Sequence, residues 1–113
     1  MTVKELVSIL EAEVLAGADC LTGAVTGGYV SDLLSNVMAQ APAGAVWVTM
    51  QAHHNVVAVA SLTGLAAVVI AGGVRPDAAT IKRAAAERVV LLATALPAFE
   101  AVGRLYTQGV RGL

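Results

Sequence analysis

The sequence predicts a small three-layer α/β domain with a mainly parallel sheet flanked by helices. Three observations carry this prediction. Apolar, β-branched runs near residues 47, 68 and 90 recur about every twenty residues, and each leads into a helical pattern. Such alternation gives parallel strands joined by right-handed crossovers. The run Val68-Val69-Ile70 has no polar member, as expected of a strand covered on both faces. The 113 residues form one domain, 1–113, too short for a second core.

The elements follow in order. Thr2 and Glu5 have the spacing of a capping box, and Val3, Leu6, Val7, Leu10 and Val14 repeat at helical intervals, predicting an amphipathic first helix. Gly17, Asp19 and Thr22-Gly23 then mark turns between short extended pieces. Ala24-Val25-Thr26 leads into a loop at residues 26–32, and Leu33, Leu34, Val37, Met38 and Ala41 outline a helix closed by Pro42 and Gly44. Residues 45–50 read as a strand, 51–55 as a polar loop and 56–62 as a helix. Residues 66–70 are the next strand and 71–77 the next loop. A helix over 78–87 follows, with Asp77 as its N-cap. Residues 89–92 are the last strand, and Pro97 opens a helix carrying Phe99, Val102, Leu105 and Tyr106.

Hydrophobic residues make up 58% of the chain and charged ones only 13%, against roughly half and about a quarter in ordinary domains. A thin charged shell on a small domain predicts an apolar face covered by a second subunit, hence a homodimer. The net charge of −1 and the scattered Lys4, Arg75, Lys82, Arg83, Arg88, Arg104 and Arg111 exclude a phosphate-tracking surface, so no nucleic-acid partner is expected. The uncharged stretch 56–74 is long enough to cross a bilayer. Thr63-Gly64 interrupts it and Gly72-Gly73 ends it, so it reads as a buried helix and a buried strand, with no membrane partner. The single cysteine, Cys20, reads as a small packed residue and fits a reducing, cytoplasmic setting.

Strand-to-helix loops of a parallel sheet emerge at its carboxyl edge, where ligands bind. The first candidate loop holds Thr26, Gly27, Gly28, Ser31 and Asp32. Its glycines would bring backbone N–H groups close to an anion ahead of a helix N-terminus; alternatively they only make the turn, with Ser31 or Asp32 capping the helix. No Lys-Ser/Thr follows, so it is not a Walker A loop. The second holds Gln51, His53, His54 and Asn55, a cluster of donors and acceptors in which Asn55 or His54 would also serve as a cap. Adjacent histidines with no other ligand at metal spacing do not make a chelate, so neither metal nor cofactor is expected. The third holds Gly72, Gly73 and Arg75, the one cation near this edge, which would clamp a carboxylate or phosphate or else pair with Asp77 or Asp32.

These residues give the chain a family likeness. It resembles the DRTGG-domain family in the run Val25-Thr26-Gly27-Gly28-Tyr29-Val30-Ser31-Asp32-Leu33-Leu34-Ser35, in Trp47-Val48-Thr49-Met50-Gln51-Ala52-His53, in Asn55-Val56-Val57-Ala58-Val59-Ala60-Ser61 and in Ala71-Gly72-Gly73-Val74-Arg75-Pro76-Asp77. Of the Asp-Arg-Thr-Gly-Gly signature only Thr26-Gly27-Gly28 is present; Ala24 and Val25 stand where the acid and base would be. The resemblance implies a domain like the N-terminal domain of HPr kinase/phosphorylase. It also implies kinship with regulatory domains found inside some phosphotransacetylases and beside CBS pairs, and a dimeric, cytoplasmic, stand-alone member.

The reading that results is a non-catalytic regulatory or ligand-sensing domain. It would bind a small anionic metabolite or nucleotide at the loops, as a homodimer, and act on a regulated partner enzyme. The alternatives are a protein-interaction subunit without a ligand, or a small enzyme using His53 or His54 with Asp32 and Arg75.

Overall fold

In the computed structural model, which describes residues 1–112, the apolar runs become the strands that the alternation requires. They are β1 (Glu13–Ala16), β2 (Gly27–Val30), β3 (Ala45–Thr49), β4 (Ala67–Ile70) and β5 (Leu91–Ala93). The helices are α1 (Val3–Ile9), α2 (Leu34–Gln40), α3 (Asn55–Thr63), α4 (Ala78–Ala86) and α5 (Ala98–Thr107). The strands form one sheet in the order β1-β5-β4-β3-β2, parallel except for β1, which runs antiparallel to β5. Every residue of β3, β4 and β5 is buried. That explains their unbroken apolar lettering, because helices lie on both faces.

Alternation along the strands divides the core. Val46, Val48, Ala67, Val69 and Leu92 face α1 and α5, packing with Val3, Leu6, Leu10, Ala101 and Leu105. Trp47, Val68, Ile70 and Leu91 face α2, α3 and α4, packing with Val37, Val56, Val57, Ala60 and Ala84. The stretch 56–74 splits as its glycine predicts, into α3 and β4, with Gly64 in the left-handed region at φ 66°. No helix among the described residues is long and apolar enough to cross a membrane.

Two local readings need correction. The helical repeat through Val14 overshoots, because α1 ends at Ile9 and Val14 lies in β1. Glu11 turns the chain at φ 49°, and the carbonyl of Leu10 is taken by the Thr94 hydroxyl at 2.7 Å instead of a next helical turn. The capping box at Thr2 and Glu5 is present as its spacing predicts, with Glu5 accepting from the Thr2 amide at 3.2 Å and from the Thr2 hydroxyl at 3.3 Å. The last strand starts two residues later than the run 89–92 placed it and ends one residue later.

Candidate functional site

The loops after β2, β3, β4 and β5 all leave the carboxyl edge of the parallel strands. Because β1 is antiparallel, its start lies at this edge too, Glu13 pairing with Ala93.

The first loop is shorter than the sequence indicated, since Gly27–Val30 is strand. Only Ser31 and Asp32 of its candidates reach the carboxyl edge. The Ser31 hydroxyl accepts from the Leu33 amide at 3.1 Å, and Trp47 Nε1 donates to the Ser31 carbonyl at 2.8 Å from the core below. Asp32 does not cap α2. Its carboxylate accepts from the Thr49 hydroxyl at 2.8 Å and the Met50 amide at 2.7 Å, clamping the first loop to the second.

Thr26, Gly27 and Gly28 lie at the opposite end of β2, where Gly27 pairs with Ala45 at the start of β3. The Thr26 hydroxyl donates to the Ala43 carbonyl at 3.1 Å, and its amide donates to Gly44. The Gly28 amide donates to the Arg111 carbonyl at 2.9 Å. A Cβ on Gly28 would stand 3.1 Å from the Val110 side chain, so this glycine admits the C-terminal segment against the edge strand. Both glycines are part of the sheet, apart from the other candidate loops at its carboxyl edge.

In the second loop Gln51, His53, His54 and Asn55 are all exposed. His54 takes the N-cap position of α3 without a side-chain bond, while His53 Nδ1 accepts from the Asn55 amide at 3.2 Å. A neutral His53 thus carries its proton on Nε2, directed away from that bond. The two imidazoles lie 4.1 Å apart, tilted by 33°. The pair has donors and acceptors to spare.

The third loop is locked to a fourth that sequence reading passed over. Gly72 and Gly73 adopt φ of 75° and 73°, where glycine alone is unstrained. Their amides donate to Leu96 at 2.7 Å and Thr94 at 3.0 Å, so they are not free to hold an anion. Thr94 is buried. Its hydroxyl donates to the Leu10 carbonyl and accepts from the Leu96 amide at 3.2 Å. The hydroxyl thus joins the end of α1 to the fourth loop, while the Thr94 backbone carbonyl holds Gly73 of the third. The signal was present in the sequence: a lone threonine between an apolar run and Pro97, the same strand-to-helix pattern as the other three loops.

Arg75 pairs with Glu13 at 2.6 Å, not with Asp77 or Asp32, and both side chains are 58% exposed. Glu11, Glu13, Gly73, Arg75 and Thr94 border a cleft of about 380 Å³. Asp77 caps α4, accepting from the Thr80 amide at 2.8 Å. That amide first, then the Thr80 hydroxyl, hold its carboxyl below its ordinary value, and the field of His54 and His53 adds to this. The edge therefore has an acidic clamp at Asp32, a histidine pair beside Asp77, and an Arg75–Glu13 couple over the cleft. No three His, Cys, Asp or Glu side chains among the described residues are placed to share a metal ion. Cys20 is half-buried on the far side, its thiol 3.7 Å from Arg88, a basic neighbour that sequence distance hid.

The sequence profile of the DRTGG domain matches residues 5–107. The chain belongs to the DRTGG family. It is also similar in fold to part of the structure of the CBS and DRTGG domains of the regulatory region of Clostridium perfringens pyrophosphatase complexed with activator, diadenosine tetraphosphate. The TM-score is 0.76 at 15% identity, covering 97% of this chain and 47% of that one. The DRTGG domain described here thus spans about half of that region. No curated protein sequence matches it.

Proposed function

We propose that this DRTGG domain is a regulatory module, not a catalyst, which senses a small anionic metabolite or nucleotide at its carboxyl edge. It acts as a homodimer upon a partner enzyme in the cytoplasm. One observation carries the reading: Gln51, His53, His54 and Asn55 stand exposed in one loop, and Arg75 on the next loop is held, among the described residues, only by a solvent-exposed ion pair. Exposed pairs of this kind contribute about 0–1 kcal/mol, so an incoming phosphate can take Arg75 from Glu13 at little cost. The imidazole N–H groups add further donors at the same edge. The candidate residues on this reading are Ser31, Asp32, Gln51, His53, His54, Asn55, Gly72, Gly73 and Arg75, with the two glycines shaping the loop. Catalysis would need an imidazole within reach of Asp32 and Arg75, whereas Asp32 is engaged by Thr49 and Met50 and Arg75 by Glu13.

Thermal unfolding with diadenosine tetraphosphate, mononucleotides and pyrophosphate tests this. At ten times Kd, linkage stabilises the native state by about 1.4 kcal/mol, raising Tm by roughly 6–11 °C. No shift with any of them at millimolar concentration would overturn the sensing reading. A second reading, an interaction subunit without ligand, is favoured by the closed hydrogen bonding of Gly72 and Gly73. It expects that negative result.

A further inference from the structure

The cleft between the third and fourth loops carries more acid than base. Its neutral polar groups are consumed by the fold. The Gly73 amide donates to the Thr94 carbonyl, and the Thr94 hydroxyl is shared between the Leu10 carbonyl and the Leu96 amide. Ala93 and Ala95, which also line the cleft, contribute no polar side chain. What remains for a ligand to meet is charge.

Glu11 and Glu13 give the cleft two carboxylates, and Arg75 is its one cation among the described residues. Arg104 offsets Glu11 from outside, at 2.9 Å. The same guanidinium is bound by Glu100 at 3.4 Å and donates to the Ile9 carbonyl at 3.2 Å, so it has little left to offer. Arg75 has Glu13 alone, with Nη1 2.6 Å from Oε2. The fold sets this couple. Glu13 opens the antiparallel edge strand opposite Ala93, while Arg75 stands on the loop after β4, next to the buried Pro76. A guanidinium has five donors in a planar fork, so it can turn from this contact to two parallel bonds with an incoming acid.

The exchange has a consequence for Glu13. An acid that takes Arg75 leaves the Glu13 carboxylate without its partner, a few ångströms from the new negative charge. A phosphate monoester brings about −1.5 to −2 at neutral pH, so the repulsion is larger than for a carboxylate. A ligand carrying its own ammonium group a few bonds from the phosphate removes the conflict. The phosphate then lies on Arg75 and the ammonium on Glu13, and one exposed ion pair is replaced by two. We propose that the ligand of this cleft is a small phosphate monoester bearing an ammonium group, an aminoalkyl phosphate, with Arg75 reading the acid and Glu13 the amine. The size agrees. A cleft of about 380 Å³ is near the lower end of the roughly 300–1,000 Å³ typical of ligand sites. The inference rests on the sensing reading and narrows its ligand.

Two probes that differ only by an ammonium in place of a methyl group test it: phosphoethanolamine and n-propyl phosphate. In titration calorimetry at low salt the wild-type chain should bind phosphoethanolamine at least about five-fold more tightly, the upper range for one exposed ion pair. In Glu13→Gln that preference should vanish, and n-propyl phosphate should bind more tightly than it does to wild type, because nothing competes for Arg75. Arg75→Gln should weaken both probes. Equal affinity of the wild type for the two probes, or a preference that survives Glu13→Gln, would overturn the inference and leave the sensing reading standing. So would binding of pyrophosphate or a mononucleotide with neither probe bound. Failure of all of them at millimolar concentration would overturn both.

Discussion

Thr94 is the residue on which the carboxyl edge depends most, and replacing it by valine isolates what its hydroxyl does. The substitution keeps shape and burial at a site only 3% exposed. It removes a donor to the Leu10 carbonyl at 2.7 Å and an acceptor for the Leu96 amide at 3.2 Å. Leu10 is wholly buried, so its carbonyl finds no water in exchange. Each of the two lost bonds costs about 1 kcal/mol, and a buried group left unpaired adds roughly 1–3 kcal/mol, giving a sum of about 3–5 kcal/mol. Out of a total of about 5–15 kcal/mol that is a large fraction. It corresponds to a fall in Tm of roughly 10–20 °C for a domain of this size. Urea unfolding followed by tryptophan fluorescence suits the measurement, because Trp47 is fully buried in β3. The midpoint should fall with the m-value unchanged. Thr94→Ser retains the hydroxyl and loses only a methyl, so it should cost about 1 kcal/mol. If the valine variant lies within about 0.5 kcal/mol of wild type, or the serine variant is the worse of the two, the account of Thr94 as the tie between α1 and the loops is wrong.

Glu13→Gln releases Arg75 from its only ion pair among the described residues. Stability should move by less than about 1 kcal/mol, since the pair is exposed, while titration calorimetry should show tighter binding of an anionic ligand. Weaker binding would show that Glu13 itself contacts the ligand. At Asp77 the native carboxyl is held below its ordinary value of 3.8. A lowered carboxylate contributes stability that is fully present above the unfolded value and is lost as pH falls through the native one. Asp77→Asn should therefore be less stable than wild type near neutral pH, with the gap closing on acidification below 3.8. A gap that stays constant in an acid series of urea melts would rule out the electrostatic part of this cap.

The lettering of the chain was enough to determine the α/β class, the parallel strands and the N-cap at Asp77. Continuous apolar runs are the one-dimensional image of strands buried on both faces, and a cap is read from neighbours in sequence. Local spacing could not show that Val14 belongs to a strand. Helical periodicity continues through it, and only pairing with β5 decides otherwise. Nor could it separate Gly27-Gly28 from Gly72-Gly73. Both are glycine pairs beside an apolar run, yet one lies within β2 against Val110 and the other in a left-handed turn. Every partner that organises the edge is remote in sequence: Thr49 for Asp32, Glu13 for Arg75, Leu10 for Thr94. The sequence by itself determined the strands β3, β4 and β5 and the helices between them, because burial periodicity is local. The tertiary structure alone decided which polar groups are spent on holding loops together and which, like the His54 side chain, stand exposed, because hydrogen-bond satisfaction is settled between segments.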